Sequence, residues 1–366
     1  MGTERRPIRL AEDGRAVEII DQTLLPHRLA WRRLERLADA VEAIAAMRVR
    51  GAPLIGATAA YGVALALADD PSDAALDGAI EALAATRPTA VNLRWALEDA
   101  RARLAPLAGE ARVAAAFARA AALCAEDAAI NRALGEHAAA LIAAAWEAAG
   151  CARPVAVLTH CNAGWLATAG WGTALAGVYV AAERGVPVHV WVDETRPRNQ
   201  GAALTAWELG EAGIAHSVIV DNAGGHLMQH GRVDLCIVGT DRTTATGDVC
   251  NKIGTYLKAL AARDNGVPFY AAVPSPSIDW TLADGLGAIP IEQRDAAEVT
   301  HVRGLAPSGE VVAVRITPEA SAAANPAFDV TPARLLSGLI TERGVASASA
   351  EGLLALFPER RPNAPG

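Results

Sequence analysis

Two side chains in this sequence stand where a proton could be held and delivered: Cys161, in Thr159-His160-Cys161-Asn162-Ala163-Gly164, and Asp241, in Gly239-Thr240-Asp241-Arg242. A thiol or carboxyl enclosed by apolar groups has its neutral form favoured, which suits an acid that must keep its proton at neutral pH. Each also has a plainer use, since free cysteines often only pack and an Asp after a strand often caps the next helix. Lys252, in Gly247-Asp248-Val249-Cys250-Asn251-Lys252, adds a cation. Thirty-one of the 33 basic residues are Arg, and the only lysines are Lys252 and Lys258, so a retained Lys points to a place for a compact ammonium. Asp248 reads as the N-cap of a helix whose buried stripe is Ile253, Tyr256, Leu257 and Leu260, with Asn251 and Lys252 in its first turn. Free backbone N–H groups, the helix dipole and an ammonium together favour a phosphate there. The alternative is that Asp248 merely caps and Lys252 is solvated. Arg50-Gly51-Ala52-Pro53, followed by Gly56, and Arg94 in Asn92-Leu93-Arg94-Trp95 offer further cations and bare backbone. For a lone Arg the competing reading is a surface ion pair.

These residues need elements to bring them together. After Cys151, short β-branched runs at 155–158, 188–192, 217–220, 235–238 and 269–273 alternate with helix-length segments. Such alternation specifies a parallel sheet covered by helices on both faces. Ligands of an open sheet sit beyond the carboxyl ends of its strands. The loops beginning at Thr159, Asp193, Asp221 and Gly239 should therefore converge on one crevice, the second of them running Asp193 to Gly201 through Gln200. Earlier in the chain a strand is expected from Ala16 to Ile20, then a helix carrying Leu34, Leu37, Val41 and Ile44. From Ala52 to about Gly150 helix follows helix, broken at Asp70-Pro71-Ser72, at Thr86-Arg87-Pro88-Thr89 and near Gly109. The expectation is an α/β protein of two domains: 1–146, mainly helical, and 147–366, built on the parallel sheet.

Composition narrows the function. The chain has 366 residues, 52% apolar and 20% charged, enough for large cores. Its formal charge is −8 and no long basic tract occurs, which speaks against a nucleic-acid partner. Glu42, Glu81, Glu98, Asp127, Arg132 and Glu136 interrupt the Ala-rich stretches, so no membrane span is expected. The first residues lack the apolar region of a secretory signal, and five scattered cysteines fit reduced thiols in a cytoplasm. No G-x-G-x-x-G opens a helix after a strand: in Gly170-Trp171-Gly172 the third glycine position is Leu175. There is no C-x-x-C, H-E-x-x-H or P-loop, and His160 would point away from Cys161 on extended backbone. Neither a nucleotide cofactor nor a metal is expected.

The loops, taken with Arg50-Gly51-Ala52-Pro53-Leu54-Ile55-Gly56, resemble the methylthioribose-1-phosphate isomerases, aldose–ketose isomerases of methionine salvage. These belong to a wider family with the regulatory subunits of translation initiation factor 2B. The matching segments are THCNAG at 159–164, ETRPRNQG at 194–201 running to LTAWEL at 204–209, DNAGGHLM at 221–228, GTDR at 239–242 and GDVCNKIGTY at 247–256. IPIEQR at 289–294 and NPAFDVTPARLLSGLITERG at 325–344 complete a match in order along almost the whole chain. The resemblance implies a small helical N-terminal domain with a short sheet, a Rossmann-like C-terminal domain, a homodimer, and a reaction without cofactor or metal. Asp241 then resembles the family's proton donor and Cys161 the residue assisting at the transition state. Arg50, Gly51, Ala52, Arg94, Gln200, Asn251 and Lys252 resemble its substrate-binding set. A sugar phosphorylated at C1 cannot open as a free hemiacetal does, so the ring oxygen must be protonated and hydrogen moved from C2 to C1. A cis-phosphoenolate path and a hydride path both remain open.

Departures from the family pattern bear on the substrate. Ala202-Ala203 stands where Ala-Arg is usual, Trp165 where a small residue is, and Pro276-Ser277 where Ser-Thr is. They leave open an isomerase of another sugar 1-phosphate, such as 5-deoxyribose 1-phosphate or ribose 1,5-bisphosphate. A non-catalytic regulatory subunit is the other reading; Cys161, Asp241 and Lys252 together speak against it.

Overall fold

The structure is a computed structural model that describes residues 5–87 and 91–361. The Pro88-Thr89 part of the expected helix break lies outside the described residues. The chain divides into two compact units.

The first unit comprises the described residues up to Ala133 together with Ala163–Ala176. It begins with an antiparallel sheet of β1 (Ile8–Leu10), β2 (Val17–Ile20) and β3 (Trp31–Leu34). The helices α1 (Leu37–Ala45), α2 (Ala52–Asp69), α3 (Asp73–Thr86), α4 (Val91–Leu104) and α5 (Gly109–Ala148) follow, α5 continuing past Ala133 into the second unit. The expected breaks fall between α2 and α3, at the end of α3 and before α5, but Leu34, expected on the first helix, ends β3 by pairing with Val17, and α1 begins only at Leu37. Asp70-Pro71 cannot continue α2, and Ser72 opens α3 by accepting the Ala75 N–H at 3.2 Å. Helix α2 is apolar all round because it is the centre of the core, with α1, α3 and α4 packed about it. By length and composition alone it could cross a membrane, but 83% of it is buried within the protein. Leu54 and Leu67 on it are fully buried, each stabilising the unit by roughly 1.5–3 kcal/mol.

Beside this core the Asp127 carboxylate accepts the Ala169 N–H at 2.7 Å. Burial pushes Asp127 up to about 7 from an ordinary 3.8, against the lowering effect of that bond and of Asn131. The folded chain therefore holds a proton that the unfolded chain releases, and stability falls as pH rises from about 4 through about 7. Asp127→Asn keeps an acceptor and cannot ionise. Its melting temperature should match the parent's near pH 4 and exceed it at pH 8 by roughly 3 °C or more, at about 2–4 °C per kcal/mol. Parallel melting curves across that range would contradict this account of Asp127.

The second unit comprises Leu134–Asn162 and the described residues from Gly177 onward. Its main sheet contains β4 (Val155–Thr159), β5 (Val188–Asp193), β6 (Ala215–Ile219), β7 (Leu235–Val238), and, after β8 (Arg242–Thr244) and β9 (Val249–Lys252), β10 (Phe269–Ala272). Later in the chain come β11 (Ile278–Asp279), the hairpin β12 (His301–Leu305) and β13 (Val311–Arg315), β14 (Phe328–Thr331), β15 (Gly338–Thr341) and β16 (Gly344–Ala346). Between them lie α6 (Ala174–Glu183), α7 (Ala206–Glu211), α8 (Ala223–Gln229) and α9 (Thr255–Asp264). The strand order is β16-β15-β10-β7-β4-β5-β6, parallel except for β16. All five expected strands are present. From β4 the chain winds outward through β5 and β6, then returns to β7 on the other side of β4, so the sheet reverses direction between β4 and β7. A second sheet, β11-β8-β9-β14, grows from the loop after β7.

Candidate active site

The reversal point of a doubly wound sheet is where its two sets of loops part and leave a crevice beyond the carboxyl ends. Cys161 lies two residues after β4 and Asp241 three after β7, the two strands that flank the reversal. Both are half-buried. Cys161 has φ +67°, in the left-handed region. Its N–H donates to the Thr195 Oγ1 at 2.8 Å and its carbonyl accepts from the Thr205 Oγ1 at 2.7 Å. The Asp241 N–H donates to the Cys250 carbonyl at 3.0 Å, which fixes the loop after β7 against β9. Burial pushes the neighbouring Cys250 thiol up to about 12, so it stays a thiol.

Asn251 and Lys252 do not stand in the first turn of a helix, and this part of the sequence reading is corrected. They end β9, which pairs antiparallel with β8 and β14; Gly254, at φ +104°, makes the turn, and α9 begins at Thr255. A side chain there would meet the His160 ring at 3.0 Å, so the position requires glycine twice over. Asp248 caps nothing on α9; its carboxylate accepts the Gly285 N–H at 3.0 Å and the Ala333 N–H at 2.9 Å. The face of α9 that is buried carries Thr255, Lys258, Ala259 and Ala262, while Leu257 is exposed. The expected anion site at this N-terminus is filled by a side chain: Asp329 accepts the Gly254 N–H at 2.7 Å and the Tyr256 N–H at 3.2 Å. Lys252 keeps its place as a cation through its own side chain. Its ammonium is buried, donates to the Ala327 carbonyl at 2.9 Å and lies 4.3 Å from the centre of the Phe328 ring. Asn251 is buried and donates to the Thr255 hydroxyl at 3.0 Å.

Gln200 closes the loop after β5. It is buried, and among the described residues its Oε1 has no protein donor. A buried amide oxygen without a donor is costly unless something else supplies one, and a sugar hydroxyl can. Backbone contacts tie these positions together within the second unit. His160, next to Cys161, donates through Nε2 to the carbonyl of Ile253, next to Lys252, at 2.8 Å. Asp241 is tied to Cys250, next to Asn251.

In the first unit, Arg50 is buried and Gly51, at φ +93°, opens α2, where a Cβ would come within 2.3 Å of the Ala167 carbonyl oxygen. Ala52 and Pro53 form the first helical positions, with no acidic residue in that turn. Here an arginine does stand at the N-terminus of a long helix, an arrangement that favours anions. Arg94 is exposed on α4 and lines a surface cavity of about 310 Å³ with Arg87, Arg101 and Glu98 over Leu93 and Leu97.

Sequence reasoning missed the groups beneath the loops. Lys258, the second lysine, is buried, with Nζ 3.1 Å from Asp193 Oδ2 and bonded to the Asp221 carbonyl. His160 Nδ1 lies 2.8 Å from the same Asp193 oxygen. His160, Asp193 and Asp221 are close enough to surround a metal ion, but the Lys258 ammonium already stands against Asp193 and both ring nitrogens are engaged. The rarity of lysine was the one signal for Lys258.

With that geometry in place, the chain can be set beside known proteins. A sequence profile of the Initiation factor 2 subunit family matches residues 48–348. The chain belongs to the Initiation factor 2 subunit family. Among its relatives in that family, the Rhodospirillum rubrum methylthioribose-1-phosphate isomerase is 63% identical over 365 residues, covering 99% of this chain and 94% of that one. The Paramagnetospirillum magneticum protein of the same name is 64% identical, covering 98% and 99%. Of solved structures, 5-methylthioribose 1-phosphate isomerase from Pyrococcus horikoshii OT3 has a TM-score of 0.82 at 39% identity, covering 97% of this chain and 96% of that one. Translation initiation factor eIF-2B subunit delta from A. fulgidus has a TM-score of 0.79 at 36% identity, covering 96% and 99%. The α/β fold expected from the alternation of strand-like runs with helix-length segments is thus the fold of these solved relatives.

Proposed function

We propose that this chain is the aldose–ketose isomerase of methionine salvage that converts 5-methylthioribose 1-phosphate to 5-methylthioribulose 1-phosphate by acid/base chemistry of its own side chains. Relatives of that name at 63% and 64% identity over nearly the full length support the substrate. The observation that carries the chemistry is the pair Cys161 and Asp241 on the two loops that flank the reversal of the sheet. In this reading Asp241 gives its proton to the ring oxygen, and the C1–O bond of the ring opens. Hydrogen then passes from C2 to C1, the C2 hydroxyl returns a proton to the Asp241 carboxylate, and C2 is oxidised to the ketone as C1 is reduced. Cys161 assists at that transfer. Lys252, Asn251 and Gln200 of the second unit bind the phosphate and hydroxyls; for the first unit the family resemblance is what supports Arg50, Gly51, Ala52 and Arg94 as substrate-binding residues.

We assign the protein to the cytoplasm as a homodimer; five free cysteines support the first, and light scattering on the purified protein tests the second. The reaction itself is tested by kcat/KM for 5-methylthioribose 1-phosphate, 5-deoxyribose 1-phosphate and ribose 1,5-bisphosphate, assayed without added metal or cofactor. The methylthio sugar should be preferred by at least ~10-fold, the worth of one or two methylene-sized contacts in a fitted pocket. Preference for another sugar would direct attention to Trp165 and Ala203, and no turnover of any would favour the regulatory reading.

A further inference from the structure

Cys161 and Thr195 both adopt left-handed backbone, at φ +67° and +66°, and the two residues bond to each other. For a β-branched residue this conformation is strained and persists only where surrounding groups over-determine it. Here they do. Both oxygens of the Asp221 carboxylate are spent on consecutive amides, the Thr195 N–H at 2.7 Å and the Arg196 N–H at 2.7 Å, which prevents that turn from rotating. The Thr195 hydroxyl donates its single proton to the Asp193 carbonyl at 2.9 Å and uses a lone pair to accept the Cys161 N–H at 2.8 Å. From another segment the Thr205 hydroxyl donates to the Cys161 carbonyl at 2.7 Å. Both backbone polar groups of Cys161 thus end on threonine hydroxyls instead of a strand partner.

We propose that Thr195, fixed by Asp221 and assisted by Thr205, is a positioning residue that sets the direction of the Cys161 thiol. The inference rests on the reading of Cys161 as the residue that assists turnover. A hydroxyl is needed because one atom must donate and accept at once. Serine can do this; valine, of the same shape, can do neither.

The test uses the full-length enzyme with Thr195→Val, Thr195→Ser, Thr205→Val and Cys161→Ser. It reads kcat, KM and the iodoacetamide alkylation rates of Cys161 and of the exposed Cys151, resolved by peptide mass spectrometry. Thr195→Val should lose roughly 30-fold in kcat with KM within about threefold, because misplacement of a reacting group costs rate more than binding. Cys161 alkylation should rise about fivefold or more as the thiol is released, with Cys151 unchanged. Thr195→Ser should restore kcat to within about threefold of the parent. Parental kcat and parental Cys161 alkylation in Thr195→Val, beside an inactive Cys161→Ser, would overturn the positioning role alone. Parental kcat in Cys161→Ser would instead overturn the reading of Cys161. Should Thr195→Val fail to fold, Thr205→Val decides: the same loss of kcat at constant KM supports the proposal, and parental kcat refutes it.

Discussion

Asp241→Asn should all but stop turnover while leaving sugar-phosphate binding in place. The substitution keeps the shape of the side chain, and the backbone N–H that bonds to the Cys250 carbonyl is untouched, so that tether of the loop after β7 to β9 is kept. What is lost is the carboxyl proton. An amide cannot protonate the ring oxygen, and a positioned general acid contributes about 10²–10⁴ in rate. The loss should fall on kcat, by ~10³ or more, with KM and the affinity for the product within a fewfold, since the phosphate contacts lie on other residues. Steady-state kinetics together with calorimetric binding of the product separates the two effects. A kcat close to the parent's would remove Asp241 from the chemistry and shift the acid role toward Cys161.

That the loops carrying Cys161 and Asp241 leave the same edge of a parallel sheet was legible in the sequence, because such a sheet reads locally. Val155–Thr159 and Leu235–Val238 are buried on both faces, and strands so placed are written as continuous apolar runs ending in polar loops. The helices of the first unit were equally plain, since Asp70-Pro71-Ser72 and the glycine near 109 are punctuation with local causes. The second sheet was not. β9 pairs with β14, whose residues lie more than seventy positions further on, and Val249-Cys250-Asn251-Lys252 lacks the alternation that announces a strand. Without that partner, Asp248 resembles a helix cap and Lys252 a first-turn residue. The edge strand β6 shows the same dependence on pairing: expected at 217–220, it starts at Ala215 because the partner of Ala215 is His189 on β5. Lys258 was passed over for a related reason. Its burial is decided by Asp193 and Asp221, which reach it only once β5 and the loop after β6 are in place.

The late segments quoted for the family resemblance carry no candidate acid or base, and their work is mechanical. Arg294, from IPIEQR, and Asn325, from NPAFD, both bond to Glu298, which in turn holds Arg198 of the loop leading to Gln200 at 2.8 Å. Desolvation alone would raise the Glu298 carboxyl, yet Arg294 and Arg198 hold it down at about 2, so this clamp stays charged across the working pH range. Asp329, from the same late stretch, takes the N–H groups of Gly254 and Tyr256 and so fixes the turn that directs Asn251 and Lys252.

Lys252→Ala should weaken substrate binding as strongly as any single change outside the acid and the thiol. The ammonium is buried, held by the Ala327 carbonyl and the face of Phe328, and so needs little reordering to meet a phosphate. Removing one partner of a buried charge-assisted contact costs about 2–5 kcal/mol. At ~1.4 kcal/mol per tenfold, kcat/KM should fall roughly 30-fold to a few thousand-fold, mainly through KM. The phosphate does not change during the isomerisation, so its contacts act alike on ground and transition states and leave kcat less affected. Inhibition by inorganic phosphate should weaken in parallel, which no effect on the sugar pocket would produce. Lys252→Met, keeping the apolar stem against Phe328 but losing the charge and the bond to the Ala327 carbonyl, should behave as Lys252→Ala does. If Lys252→Met bound substrate and phosphate as the parent does, the ammonium would be a strut between β9 and the Ala327 carbonyl, and the phosphate would be held by other groups.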